Sequence, residues 1–380
     1  MAGRAPVLPP LADYATSRRD LLGPCEDRGA TLAWVPHPMP GPDGSTIGID
    51  VARFGAPPGR ARAVVVVASG THGVEGHAGS GLQSMVVTSG RLDRLPADVA
   101  VVIVHAVNPF GMAWSRRVDH DNIDVNRNFV DFDGPLPDSP HYASLDPLLN
   151  PADPTFDLAD SSWQDALWAR ADDLGATELF RAVSGGQYDF PRGVQYGGRH
   201  ESWSARALRA VWDEHCRDAE EVLHLDVHTG LGPCGQLTIF QTADSDDASA
   251  HVASRHFPIV VRSDRPGTAD PVSHGVLGPG MEHALAGGSA PAALVVPIVV
   301  EFGTLDAPQV LAAMRADNWL HHHGDPASEL GQAIRASTRD AFFIEDAAWR
   351  ERVAEDGMAS VHAALDAAEE ADPANQVSSL

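Results

Sequence analysis

The chain has 380 residues, with 52 acidic against 27 basic side chains and a formal charge of -25. That length can bury a sizeable core, and an acidic chain with neither a basic stripe nor an RNA-type aromatic motif is a poor partner for nucleic acid. Three scattered cysteines, Cys25, Cys216 and Cys234, make neither a disulfide framework nor a cysteine zinc site. Residues 1–30 lack a signal-peptide core, and no apolar run approaches the roughly 20 residues of a membrane span, so the expectation is a cytoplasmic protein that does not enter membranes.

In chain order, apolar β-branched runs at 63–68, 99–107, 222–227, 237–240, 258–261 and 295–300 predict strands, several buried on both faces. Helical patterns fall between and after them, at 77–88, 160–184, 202–220, 307–321, 326–337 and 347–370. Alternating strands and helices indicate an α/β protein. Residues 130–154, rich in Pro, Asp, Ser and Asn, read as an ordered loop beside the site, within an insertion at about 130–200. No linker divides the chain, so residues 1–370 are expected to form a single domain with a core at about 60–320, and 371–380 to be a flexible tail.

The chemistry-bearing residues sit where the predicted strands end. His72-Gly73-Val74-Glu75 follows the 63–68 run, and the flanking glycines let backbone pass close to an ion. Zinc favours such nitrogen and carboxylate ligands, and a hydrolytic site has three of them plus an open position. The third candidate is His228, at the end of a strand on which His224, Asp226 and His228 share one face. Asp226 can sit behind an imidazole and fix its tautomer, or simply pack as a polar residue against a helix start. His224, deeper in the strand, reads as a hydrogen-bonded core histidine.

Glu301 ends the strongly apolar 295–300 run, where a lone carboxylate would be costly to bury unless it met a cation or donors. It is the candidate general base for a water attacking a carbonyl. Asn108-Pro109-Phe110-Gly111 is followed by Arg116, Arg117 and then Asp124-Val125-Asn126-Arg127-Asn128-Phe129. Arginine binds carboxylate bidentately and keeps its charge. Arg127 with Asn126 is therefore the candidate grip on a substrate carboxylate, and Arg117, or alternatively Arg116, the group that polarises the scissile carbonyl. The competing reading is that these arginines only pair with Asp119, Asp121 or Asp124.

Taken together, H-x-x-E, N-P-x-G with downstream Arg, D-x-N-R-N-F, D-x-H and a late strand-end Glu, in that order between Gly70 and Gly303, resemble the zinc carboxypeptidase family. The resemblance is greatest to its bacterial branch described only as a domain of unknown function, related to the aspartoacylase and succinylglutamate desuccinylase deacylases. It implies a mixed sheet of about eight strands flanked by helices and one catalytic Zn2+ per chain. It also implies His72, Glu75 and His228 as metal ligands, Glu301 as the catalytic carboxylate, and Arg117, Asn126 and Arg127 at substrate-binding positions. The expected activity is hydrolysis of an amide in a small peptide or N-acyl amino acid with a free carboxylate. Deacylase or esterase action on a small metabolite, and a zinc-binding module without catalysis, are the alternatives.

One feature departs from that family, whose carboxypeptidases close a tyrosine over the substrate from upstream of the catalytic glutamate. Residues 272–300 contain no Tyr, leaving Tyr142, Tyr188 and Tyr196 as possible caps. His77 reads as structural or as support behind a ligand, His274 as a residue that can line the pocket, and His321-His322-His323 as a helix end whose partly charged imidazoles complement the macrodipole. The glycine clusters match neither phosphate-binding fingerprint, which disfavours a nucleotide site.

Overall fold

A computed structural model describes residues 6–242, 247–258, 260–262, 273–286 and 294–370. Eight strands form one mixed sheet: β1 (Thr31–Pro36), β2 (Gly48–Gly55), β3 (Ala63–Ser69), β4 (Val99–His105), β5 (Glu221–Thr229), β6 (Leu237–Gln241), β7 (Val260–Arg262) and β8 (Leu294–Phe302). Their spatial order is β1-β2-β4-β3-β5-β8-β6-β7. The centre, β4-β3-β5-β8, is parallel, whereas β1, β2 and β6 join by antiparallel pairing. This is the mixed eight-stranded α/β architecture expected from the motifs.

Pleating sorts each central strand between two apolar layers. Val65, Val67, Leu223, Leu225, Val296 and Ile298 pack on one face with Leu82 and Val86 of helix Gly76–Thr88 and Trp349 and Val361 of helix Ala347–Glu370. Val64, Val66, Val102 and Val104 pack on the other with Leu208 and Trp212 of helix Trp203–Cys216 and Met281 of helix Leu277–Ala286. Burying one such aliphatic side chain stabilises by about 1.5–3 kcal/mol. Because side chains alternate, His224, Asp226 and His228 necessarily share the second face with Pro297, Val299 and Glu301.

Connectivity places the site. From β3 the chain passes to β4 on one side, while β5 pairs with the other edge of β3, so the strand order reverses there. Ligands of open α/β sheets bind beyond the carboxyl ends of the strands at such a switch point. Here those ends deliver His72 and Glu75 after β3, His228 on β5 and Glu301 on β8, the last two directly paired in the parallel register.

Several expectations need correction. Strands β1 and β2 and helices Tyr14–Asp27, Pro109–Trp114, Asp247–His256 and Leu277–Ala286 were not among the predicted elements. The run at 160–184 is three helices, Ser162–Trp168, Arg170–Leu174 and Ala176–Ser184, with Gly175 at φ 82 making the second break. The 130–154 segment holds helix Tyr142–Leu149. Helix Ala307–His323 does end in the three histidines, but His321 and His322 do not charge its terminus. Burial first, then the nearby Arg116 guanidinium, pushes them down to about 3 and about 4. The expected tail at 371–380, and residue 259 of the predicted 258–261 strand, lie outside the described residues.

Candidate metal centre and active site

β3 must turn sharply to present His72. Gly70 takes φ 72, which favours glycine, and a Cβ on Gly73 would fall 2.2 Å from the backbone of Gly111. The loop is held by backbone bonds from Gly73 and Val74 to the carbonyls of Arg117 and Arg116. Glu75 then closes a single 3-10 turn, Gly73–Glu75, that runs into helix Gly76–Thr88. The motif thus packs two candidate ligands and the arginine pair into one hydrogen-bonded unit.

His72, Glu75 and His228 form the one cluster of metal-ligating side chains found among the described residues, all three buried, with ligand atoms within 4.8 Å of one another. His72 Nδ1 lies 2.9 Å from Glu75 Oε1, His228 Nδ1 lies 3.0 Å from Glu75 Oε2, and the two Nδ1 atoms are 3.1 Å apart. Behind the rings, His72 Nε2 meets Asp124 Oδ1 at 3.1 Å and His228 Nε2 meets Asp226 Oδ2 at 2.7 Å. An ionised carboxylate only accepts, so each imidazole gives its Nε2 proton to the aspartate behind it. Both Nδ1 lone pairs then point at one another and at the Glu75 oxygens.

Such a convergence of lone pairs requires a positive charge at its centre. Burial opposes charging His228, yet Asp226 and Glu75 outweigh it and raise this imidazole well above its ordinary value. Glu75 resists burial in the same way, held well below the carboxylate range by His72 and His228. Among the groups in mutual contact, the carboxylates of Glu75, Asp124 and Asp226 stand against the guanidinium of Arg117, leaving the excess negative charge that draws either a proton onto His228 or a cation between the two rings. A divalent cation would offset that excess, and the donor set, two imidazoles and a carboxylate, is one that fits zinc.

Glu301 enters from β8. Its Oε1 accepts from the Leu231 backbone N–H at 2.9 Å, and burial first, with the Glu75 carboxylate adding, pushes it up to about 8. Arg117 donates to Asp124 and lies 3.5 Å from Glu75 Oε1 while also lining the cavity, so the predicted pairing with Asp124 coexists with a position facing the site. Asn126 and Arg127 line the same cavity. Asn126 Oδ1 accepts from Leu277 N at 2.9 Å, and the Arg127 guanidinium donates to the carbonyls of Asn126 and Ser184.

Arg116 is not brought to the cavity. Its guanidinium turns the other way, onto Asp317 Oδ1, Asn122 Oδ1 and the Asp119 carbonyl, each at 3.1 Å. None of the tyrosines lines the cavity either. Tyr142 and Tyr188 give their hydroxyl protons to the carbonyls of Val194 and Arg127, at 2.8 and 2.7 Å. His274 does not line the cavity, whereas His224 forms part of its floor, with Nε2 buried and without a partner. In the sequence Asp124 reads only as an arginine's partner. Its position within D-x-N-R-N-F was the available signal, but its bond to His72 joins residues 52 apart.

The cavity itself is about 240 Å³ and is lined by His72, Glu75 and His228 together with Arg117, Asn126, Arg127 and Glu301. Residues 11–356 match the profile of the family described as "Protein of unknown function (DUF2817)". The chain belongs to this family. No curated protein matches it in sequence. Among solved structures it is similar to carboxypeptidase A from Helicoverpa armigera, at 12% identity and TM-score 0.43, covering 87% of this chain and 74% of that one. It is also similar to bovine thrombin-activatable fibrinolysis inhibitor, solved with a tick carboxypeptidase inhibitor, at 11% identity and TM-score 0.43, covering 87% and 96%. An aspartoacylase family protein from Mesorhizobium loti follows at 13% identity and TM-score 0.36, covering 77% and 67%. No helix of the DUF2817 chain, among the described residues, is long and apolar enough to cross a membrane.

Proposed function

We propose that the protein is a zinc-dependent amide hydrolase acting on a small peptide or N-acyl amino acid that carries a free carboxylate. The observation that carries this reading is the pair of imidazoles whose Nδ1 atoms face one another beside Glu75 while Asp124 and Asp226 hold their Nε2 atoms. Such an arrangement favours a cation between the rings, and it fits His72, Glu75 and His228 as the ligands of one ion. When bound, zinc supplies Lewis acidity toward a carbonyl oxygen and eases deprotonation of water.

The chain's own residues would do the rest. With the Glu75 charge that helps hold Glu301 protonated engaged by an ion, Glu301 would be free to take a proton from the attacking water as the water oxygen bonds to the carbonyl carbon, then pass that proton to the leaving nitrogen as the C–N bond breaks, giving a carboxylic acid and an amine. The Leu231 N–H fixes the orientation of Glu301. Arg117, anchored by Asp124, directs positive charge at the developing oxyanion. Arg127 and Asn126 hold the substrate carboxylate, with Tyr188 bracing the Arg127 backbone from behind. Arg116 serves as a structural tie between this loop and Asp317 of the helix Ala307–His323.

The test is release of free amine from a panel of N-acyl amino acids and dipeptides, before and after chelation. Turnover that chelation abolishes and zinc restores supports the reading. Turnover indifferent to chelation would overturn it, and zinc-loaded protein that turns over nothing in the panel would favour a binding module.

A further inference from the structure

The lining of the cavity is of two kinds. One part is tied to the carboxylate grip, since Leu277 donates its N–H to Asn126, and it includes Pro297 beside Gly278 and His224 paired with Pro297. The other part lies beside Glu301, through Leu231, whose N–H that carboxylate accepts. A Cβ on the neighbouring Gly230 would touch Phe342 and reach Val310, which places those two side chains in this part. Met314 lines a small pocket together with Arg117 and so belongs there too.

This second part is apolar. Leu167 and Trp168 of helix Ser162–Trp168 complete it from the insertion, Leu167 sharing one apolar cluster with Leu311 of helix Ala307–His323. Of the five large apolar side chains exposed among the described residues, two stand on this rim, Trp168 at 46% and Leu231 at 40%. An acidic acyl group such as succinyl would need a cation here, but Arg117 is already engaged by Asp124 and Glu75. With the carboxylate held by Asn126 and Arg127, the acyl side of the scissile bond is the part of the substrate left to meet this apolar lining.

Building on the hydrolase reading above, we propose that the substrate is an amino acid N-acylated by a sizeable apolar group, bound between Trp168, Leu231, Val310 and Met314. A medium-chain fatty acyl group and a blocked apolar aminoacyl group share this chemistry. Exposed apolar surface at a cavity mouth is otherwise unfavourable, and an apolar acyl chain would cover it.

The experiment uses the zinc-loaded full chain with one amino acid bearing acetyl, butanoyl, hexanoyl or octanoyl, alongside its N-acetyl-phenylalanyl dipeptide. kcat/KM is expected to rise about 4-fold per added methylene, as apolar transfer at about 0.8 kcal/mol per CH2 implies. Trp168→Ala, at an exposed position, should lower the octanoyl-to-acetyl ratio by about 10-fold, as loss of one large apolar contact implies. The dipeptide, compared with the octanoyl substrate, tells an aminoacyl preference from a fatty acyl one. In parallel, Kd for the acetyl and octanoyl compounds is measured on Glu301→Gln loaded with zinc, which keeps the wall and cannot turn over. Hydrolysis with a flat or falling chain-length series overturns this inference and leaves the hydrolase intact. Chain-length-dependent binding with no hydrolysis by the native protein upholds the apolar site and removes the hydrolase reading. Neither hydrolysis nor length-dependent binding removes both.

Discussion

The strand ends that carry the polar cluster and the helical wall across the cavity are built on opposite principles. His228 and Glu301 are adjacent partners in the β5–β8 register, and His72 and Glu75 leave β3 through a glycine turn wedged against Gly111. Their positions follow from the pleat of a sheet buried on both faces. The wall instead comes from short helices, Ser162–Trp168 and Ala176–Ser184, whose Leu167 and Leu179 share one apolar cluster with Leu311 of Ala307–His323. The lesson is a division of labour: the sheet sets the chemistry to within a side chain's reach, while separately packed helices shape the space a substrate must fill.

Breaking the strand-end half should have the largest effect. Glu301→Gln removes the proposed base but keeps a polar group of the same size for the Leu231 N–H. Amine release should fall by about 10²–10⁴-fold with zinc content unchanged, as loss of a general base implies. Asp226→Asn acts one layer behind the ligands. It can no longer hold the His228 tautomer by accepting alone, and zinc affinity measured by competition with a chelator should weaken by about 10–100-fold.

The wall should break without the centre. Leu179 is buried at 1% among Leu167, Trp163 and Leu311, and truncation to Ala should cost about 2–4 kcal/mol of local packing. Hydrogen exchange over 162–184 should accelerate while bound zinc stays the same. Equal loss of zinc and wall protection would show that the two regions are one cooperative unit.

A smaller effect distinguishes the loop between them. Asp119 is buried, with Oδ1 accepting from Asp121 and Ile123 and Oδ2 unpaired. Burial first, and the neighbouring Asp121 charge as well, push it up to about 7 from 3.8. The folded chain therefore keeps a proton that the unfolded chain releases, a contribution to stability fully present below about pH 4 and lost as pH rises to about 7. Asp119→Asn imitates the protonated form. Its Tm should match the native protein near pH 4 and exceed it by a few degrees at pH 8.

The strand-end half was legible because apolar runs announce buried strands, and a polar residue closing such a run demands a partner. That signal picks out His72, Glu75, His228 and Glu301, which the fold brings to one cavity. The N-terminal strands were not, for a related reason. β2 carries Asp50 and Arg53, whose charges are met by Arg18 and by the carbonyls of Ala56 and His215, so its burial is hidden by groups that pair elsewhere. Arg116 and Arg117 are neighbours in sequence, yet one faces Asp317 and the other Asp124. Spacing alone has no information about an aspartate two hundred residues away. The wall was visible only as helical periodicity at 160–184, since its breaks depend on tertiary contacts and on Gly175.

The most direct measurement is elemental analysis of the purified chain beside its His228→Ala variant, after passage over a chelating resin and addition of equimolar zinc. The account predicts about one tightly held zinc per native chain, as expected for a centre with three protein ligands, and almost none in the folded variant. A native chain that folds yet retains no more metal than His228→Ala would contradict it.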